Sequence, residues 1–335
     1  MTLSTEVTDS LDGVGADDLF ALDGTVGALG SRGRLVQHSQ DPRWTPRYVV
    51  VRDGGRLRAA LPIFLGNGTQ WSDQIHNPED WGYHQPLVPD KSALVGGRLE
   101  IRGSLRCADE PDVIAAVTDA LSAIPELRGR ELFFGYLPPD QRRIAEAIFG
   151  PVTWLAEYDD FTYPEEVIRG SLMDLPQPVR YTIRHGERKA AELGIVAEVT
   201  PWRDYEGDAC ELIAAHNERK GQTDHPELVR YRMDRWDECD EVTVLVAHAS
   251  RDGAAGGAVT LLLFRDEVEV YEVGLPEQDD RHTFYIHLTF NEPRRIARDQ
   301  GCAVVRAGLG APQPKRIRGA RAVPRHCGRA PDTLL

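Results

Sequence analysis

The residues best suited to chemistry gather toward the end of the chain. Arg306, Lys315, Arg316, Arg318, Arg321, Arg325 and Arg329 fall between Gly301 and Pro331 without an acidic residue among them. Cations grouped at a strand exit can neutralise the phosphates of a nucleotide or an RNA end; a solvated basic tail is the plainer reading. Glu272 is the carboxylate to consider as a general base. In EVEVYEVG a period of two places it with Val268, Val270 and Gly274 on an otherwise apolar face, with Glu267, Glu269 and Tyr271 on the other. Desolvation there would raise its pKa and bring its basicity toward neutrality, and the alternative is a buried ion pair with an arginine. Tyr285 and His282, at the start of the next helical segment, could donate to an acyl carbonyl or shuttle a proton, or simply pack.

Two further groups read as ligand contacts. Arg180, Arg184 and Arg188 recur at four-residue spacing and so share one helix face, with His185 and Lys189 beside them. Like charges in line are mutually unfavourable unless an anionic ligand or protein carboxylates lie opposite. The segment holding His76, Trp81, Tyr83, His84 and Gln85 offers aromatic and polar groups for a small acceptor in a cleft between domains, or for packing alone. His216 and His225 lack a third partner at ligand spacing, so no metal is expected. Neither a GxSxG elbow nor a phosphate-binding glycine pattern occurs in a strand-to-helix setting; GGRLEIRG has glycines without a following helix start.

The elements that must hold these residues are legible from periodicity. RYVVVRDGGRLRAALPIFLG reads as a hairpin around Asp53-Gly54-Gly55, and SALVGGRLEIRG as ending in a strand. ADEPDVIAAVTDALSAIP has the spacing of an amphipathic helix, RELFFGYLP is a buried strand, and a helix is expected after Pro139. VRYTIRHGERKAAELG is a helix stopped by glycine, IVAEVT a strand, and DYEGDACELIAAHNERKG another helix. Val242 to Pro276 reads as a three-stranded meander. HTFYIHLTFNEPRRIARDQG is a helix that Pro293 should kink or split, and CAVVRAGLG is the last clear strand. The order of meander, helix and strand occurs in both halves, as a duplicated α/β unit would give. Domains are expected at 1–160 and at 161–335, the second carrying the basic C-terminal segment.

The chain has 335 residues with a net charge of −14 and a hydrophobic fraction of 41%. Its length suits two domains at roughly 100–200 residues each, with enough apolar content for two cores. The acidic balance argues against DNA or a surface that coats nucleic acid, while leaving room for a local basic patch. The cysteines stand singly, the N-terminus lacks the basic and apolar pattern of a signal peptide, and no run reaches the ~20 apolar residues of a membrane span. A cytoplasmic protein is the expectation.

The second half, a helix, a meander, a helix and a strand, resembles the GNAT acyltransferase fold. The whole chain resembles the tandem-GNAT aminoacyltransferases of the FemXAB-like group through LRAALPIFLG, VRYTIRHGERKAAELGIVAEV, the segment from VGLPEQ to RRIARDQG, and GLGAPQPKRIRGARAVP. That resemblance implies an α/β (α+β) fold with two GNAT-like domains in tandem, each a mixed, mostly antiparallel sheet flanked by helices. It also implies transfer of an aminoacyl group from charged tRNA to the amine of a small acceptor, with no cofactor beyond that co-substrate. Lys315 matches the lysine beside the acyl-transfer centre, where it would stabilise an oxyanion or the departing tRNA hydroxyl; Arg316 and Arg318 would bind substrate. CoA-dependent relatives cradle pyrophosphate in a Gly-rich turn before the long helix. Here GLPEQDDRHTFYIH lacks those glycines and carries Glu277, Asp279 and Asp280. An acyl-CoA-dependent N-acyltransferase, with CoA held by the basic segment, is the alternative, and a non-catalytic binding module is a third reading.

Overall fold

The computed structural model describes residues 2–68, 77–98 and 100–331. Two compact units form, residues 2–158 with 324–331, and Asp159–Val323. The chain passes from the first unit to the second at Asp159 and returns to the first after Val323.

The first unit contains β1 (Leu3–Thr8), α1 (Ala16–Leu22), α2 (Arg32–Ser39), β2 (Trp44–Asp53), β3 (Arg56–Gly66), β4 (Ser92–Val95), α3 (Pro111–Ser122), β5 (Glu131–Leu137), α4 (Pro139–Phe149) and the start of β6 (Thr153–Tyr163). The β2–β3 hairpin turns on Gly54 (φ 54°) and Gly55 (φ 91°), a left-handed pair that only glycine adopts without strain. β4 pairs with β5 in parallel while the other neighbours are antiparallel, and α3 crosses between those two strands. Val113, Val117 and Leu121 of α3 pack with Val49, Leu61, Phe134 and Ile148 in this unit's core. SALVGGRLEIRG, expected to end in a strand, instead begins in one, β4, which stops at Val95. Gly96 (φ 90°) and Gly97 (φ 123°) turn the chain away from the sheet there.

The second unit repeats the plan with α5 (Glu165–Ile168), α6 (Gln177–Glu192), β7 (Val196–Pro201), α7 (Trp202–Arg219), α8 (Pro226–Asp237), β8 (Thr243–Arg251), β9 (Ala254–Phe264), β10 (Glu267–Gly274), α9 (Arg281–Ile286), α10 (Glu292–Asp299), β11 (Val304–Gly308) and α11 (Pro312–Arg316). β8, β9 and β10 form the antiparallel meander, and β10 pairs with β11 in parallel. The helix expected to kink or split at Pro293 is divided into α9 and α10. A single π turn, His287–Asn291, joins α9 to α10 and places the proline near the start of the new segment, where its missing N–H costs little. Ile183, Leu261, Val268, Leu288 and Val305 are central to a separate core.

The basic C-terminal segment is structured rather than a solvated tail. Arg321–Arg329 form β12, which pairs antiparallel with β5 inside the first unit, and Phe161–Tyr163 of β6 pair with β11 inside the second.

Candidate functional site

In the second unit β10 and β11 are hydrogen-bonded neighbours for only three positions, Glu267↔Val304, Val268↔Val305 and Glu269↔Arg306. Both strands continue, β10 to Gly274 beside β9 and β11 to Gly308 beside Phe161 of β6. Two parallel strands that part in this way leave a notch at their C-terminal ends. α9 and the π turn follow β10, and α11 follows β11, so the side chains of these segments decide what the notch can do.

The exit of β11 is held by Lys315. Gly308, Gly310 and Ala311 all have positive φ, and the Lys315 ammonium donates to the carbonyls of Gly308 (2.9 Å) and Leu309 (2.6 Å), tying this turn together. It also lies 5.3 Å from the Phe161 ring centre. Arg318 is 7% exposed; its Nη1 donates to Pro314 O at 2.8 Å and its guanidinium faces the Phe290 ring at 5.9 Å. Among the described residues its Nε has no hydrogen-bond partner. Burial lowers the Arg318 pKa, against the pull of Tyr163 and Tyr285. Burial raises the pKa of both phenols, opposed by that same guanidinium. Of the residues singled out from sequence, Lys315, Arg318 and Tyr285 therefore meet at one end of one unit. Tyr163 was missed, because its signal, an aromatic next to the predicted domain start, looks like ordinary core.

Glu272 belongs to a different network. Its carboxylate accepts from Arg232 Nε (2.9 Å) and Nη2 (3.1 Å), and Arg232 also donates to both oxygens of Asp224 (3.0 and 2.7 Å), which accepts from Asn217 Nδ2 at 2.9 Å. Burial alone would lower the Arg232 pKa, yet the two carboxylates hold it above its ordinary value. The ion pair is thus what the structure contains. The face assignment in EVEVYEVG also needs correction: Glu267 and Glu269 are buried, because β10 lies between β9 and β11 and has both faces covered, and its register slips between Val270 and Val273.

The turn from Gly274 to α9 is flanked by positive charge that its own sequence did not announce. Arg219 donates to Leu275 O, Arg281 Nη2 lies 3.1 Å from His216 Nδ1, and Asp280 is paired with Arg251. Burial first, then Lys220, Arg281 and Arg219, push the His216 pKa down from 6.5 to about 4. A depressed imidazole pKa adds stability that is complete above about 6.5 and lost as pH falls toward about 4. An NMR titration should find the His216 ring neutral through pH 5.5; a midpoint above about 6 would contradict the burial of this ring.

The remaining candidates lie elsewhere. Arg180 and Arg184 reach the carbonyl and sulfur of Met173, while Arg188 meets Glu192 and His185 on the exposed face of α6. His282 is exposed at the start of α9. Tyr83 is buried in the first unit, edge-on to Phe133 at 5.1 Å, with Arg329 over its ring at 5.6 Å and Glu131 on its hydroxyl, so it packs instead of lining an open loop. His76 lies outside the described residues. The basic segment is largely neutralised: Arg306 pairs with Glu267, Arg316 with Asp159 (2.5 Å), Arg321 with Glu166 and Arg329 with Glu131 (2.7 Å).

Among the described residues no His, Cys, Asp and Glu side chains group as a metal site would require, and no helix is long and apolar enough to cross a membrane. No protein-family model matches the sequence, and comparison with curated proteins finds no match. Solved structures do match along nearly the whole chain. FemX superposes with a TM-score of 0.64 at 9% identity, covering 97% of both chains. The C-terminal domain described as that of a lysylphosphatidylglycerol synthetase from Agrobacterium fabrum gives 0.55 at 12% identity, over 94% of this chain and 92% of that one. A tandem GNAT protein from the clavulanic acid biosynthesis pathway gives 0.53 at 14% identity, over 99% of each. At such identities the likeness is one of fold: the chain has a GNAT-like fold, with mixed sheets flanked by helices in two units.

Proposed function

We propose that the protein is an acyltransferase that moves an aminoacyl group from aminoacyl-tRNA to the amine of a small acceptor, as the FemXAB-like resemblance implies. The observation that carries this reading is the notch where β10 and β11 part, with Lys315, Arg318, Tyr163 and Tyr285 gathered around the exit of β11. The amine nitrogen attacks the ester carbonyl carbon, the C–N bond forms, and the C–O bond to the tRNA ribose breaks. The amine's proton passes to the departing ribose oxygen. A lysine ammonium fixed by two backbone carbonyls supplies positive charge where the oxyanion develops, without reorganisation during the reaction. The two phenols stay protonated as donors, and Arg318 has donor capacity left for an anionic group of donor or acceptor.

The turn before α9 lacks the Gly-rich pattern and carries Glu277 and Asp279, which favours an ester donor over CoA in this unit. The second reading, an acyl-CoA donor, draws support from Arg219, Lys220 and Arg281 around that same turn. Purified protein with charged tRNA or acetyl-CoA and a panel of amines, followed by mass, separates the two. Transfer from acetyl-CoA that survives ribonuclease overturns the tRNA reading.

Glu272→Gln should leave the acidic limb of the pH–rate profile in place and lower stability by about 1–2 kcal/mol, because Arg232 loses a charged acceptor but keeps Asp224. A rate loss of about 10²–10⁴ would instead make Glu272 the general base.

A further inference from the structure

The helix that follows β10 changes its winding beside the β11 exit. His287–Asn291 form a π turn between α9 and α10, and Glu292 N–H donates to the His287 carbonyl five residues back. Such a turn takes up one residue more than an α-helical one; it is rare and found mostly at functional sites. What it changes is which side chains share a face. At about 100° per residue, positions i and i+5 of an α-helix point about 140° apart, and the added residue turns them toward the same side. Two such pairs span this turn, Tyr285 with Phe290 and His287 with Glu292.

The first pair addresses the site. The Phe290 ring lies 4.8 Å from that of Tyr163 and 5.9 Å from the Arg318 guanidinium, and the same guanidinium acts on the Tyr285 phenol, opposing the rise that burial gives its pKa. The second pair fixes the turn. His287 Nε2 lies 3.6 Å from Glu292 Oε1 and its Nδ1 lies 3.3 Å from Asn291 Nδ2, so one imidazole spans the turn from its first residue to its last and on into α10. Glu292 is anchored in turn by Arg295, whose Nη2 and Nε donate to Oε2 at 2.7 and 2.9 Å. Asn291 and Glu292 are both buried. With its N–H turned to the imidazole, the Asn291 amide leaves its Oδ1 without a hydrogen-bond partner among the described residues, a cost that an apolar residue there would avoid.

We infer that His287 and Asn291 are positioning residues, which span the π turn and thereby hold Tyr285 and Phe290 together on the side of the helix that faces Arg318 and Tyr163. The inference rests on the reading of that cluster as the acyl-transfer site, and neither residue acts on substrate itself. Were the turn to close to α-helical winding, everything before it would swing by about 100° around the helix axis relative to α10. Tyr285 would leave Arg318 while Phe290 stayed. The same motion would part His287 from Glu292, so their approach favours the π-wound helix and lends nothing to the α-helical one. An interaction present in one of two states shifts the balance toward that state.

The test has a structural arm and a kinetic arm, both on the full chain. Crystal structures of the parent protein and of His287→Leu read the winding at residues 287–291: a π turn is expected in the first, and α-helical winding with Tyr285 turned away from Arg318 in the second. Should His287→Leu fail to fold, Asn291→Leu serves, being nearly isosteric and lacking the unpartnered oxygen. In the kinetic arm His287→Leu should lower kcat by about 10–10²-fold with KM unchanged, the scale of a misplaced catalytic group. His287→Gln, which can still offer Glu292 an N–H, should recover most of that loss. The double variant His287→Leu with Tyr285→Phe should be no slower than Tyr285→Phe alone. A π turn and a Tyr285 orientation that survive in the folded variants would overturn the inference, as would a double variant slower by the product of the two single losses. Absence of transfer by the parent protein would instead remove the acyl-transfer reading, and the structural arm would still decide whether His287 sets the winding.

Discussion

Lys315→Ala is expected to slow acyl transfer by about 10²–10³, the range for removing a fixed group that stabilises an oxyanion. The structure adds a second consequence. The ammonium holds the carbonyls of Gly308 and Leu309 across a turn with three left-handed residues, so the variant also loses charge-assisted hydrogen bonds of roughly 1.5–3 kcal/mol each. The two effects separate by measuring turnover well below the urea midpoint, and by Lys315→Met, which keeps most of the buried stem without the charge. Full turnover in a folded Met variant would leave Lys315 as a clamp on the turn and nothing more.

The largest stability effect should come from Arg306→Met. Arg306 and Glu267 are both buried, and the guanidinium grips the carboxylate with two bonds, Nε to Oε2 at 2.6 Å and Nη2 to Oε1 at 2.5 Å. Removing the cation leaves an uncompensated carboxylate between β10 and β11, a loss of about 3–5 kcal/mol. Replacing both, Arg306→Met with Glu267→Leu, removes the buried charge altogether and should recover most of that loss. The readout is the urea transition of the second unit. A loss below about 1 kcal/mol for the single variant, or a double variant no better than the single, would show that water reaches the pair.

This pair also marks where reading along the chain stops working. Periodicity located the β2–β3 hairpin, α3, the β8–β10 meander and the helix before β11, because each depends on neighbours three, four or two residues away. The same rule misassigned EVEVYEVG. It treats a strand as half-exposed, whereas both faces of β10 are covered at Glu267, Val268 and Glu269, so the two carboxylates are buried against partners remote in sequence. Arg321–Arg329 looked like a tail because its charge is visible locally and its pairing with β5 is not. Lys315, Arg318 and Tyr285 were legible as residue types with chemical use. Their meeting with Tyr163 was not, since three separate segments contribute.

What the sequence determined by itself is the order of elements in the two halves and a set of side chains with chemical use, because helix and strand periods, left-handed glycines and side-chain chemistry are local properties. Only the tertiary structure decided which charges remain usable. A net charge of −14 and a basic stretch near the end suggested a positive mouth on an acidic body. In the folded protein Arg306, Arg316, Arg321 and Arg329 each face a carboxylate from a distant segment, while Arg318 and Arg98 are buried with donors to spare. Coulomb attraction acts through space at a few ångströms, so the partner of each charge is settled by which strands and helices meet.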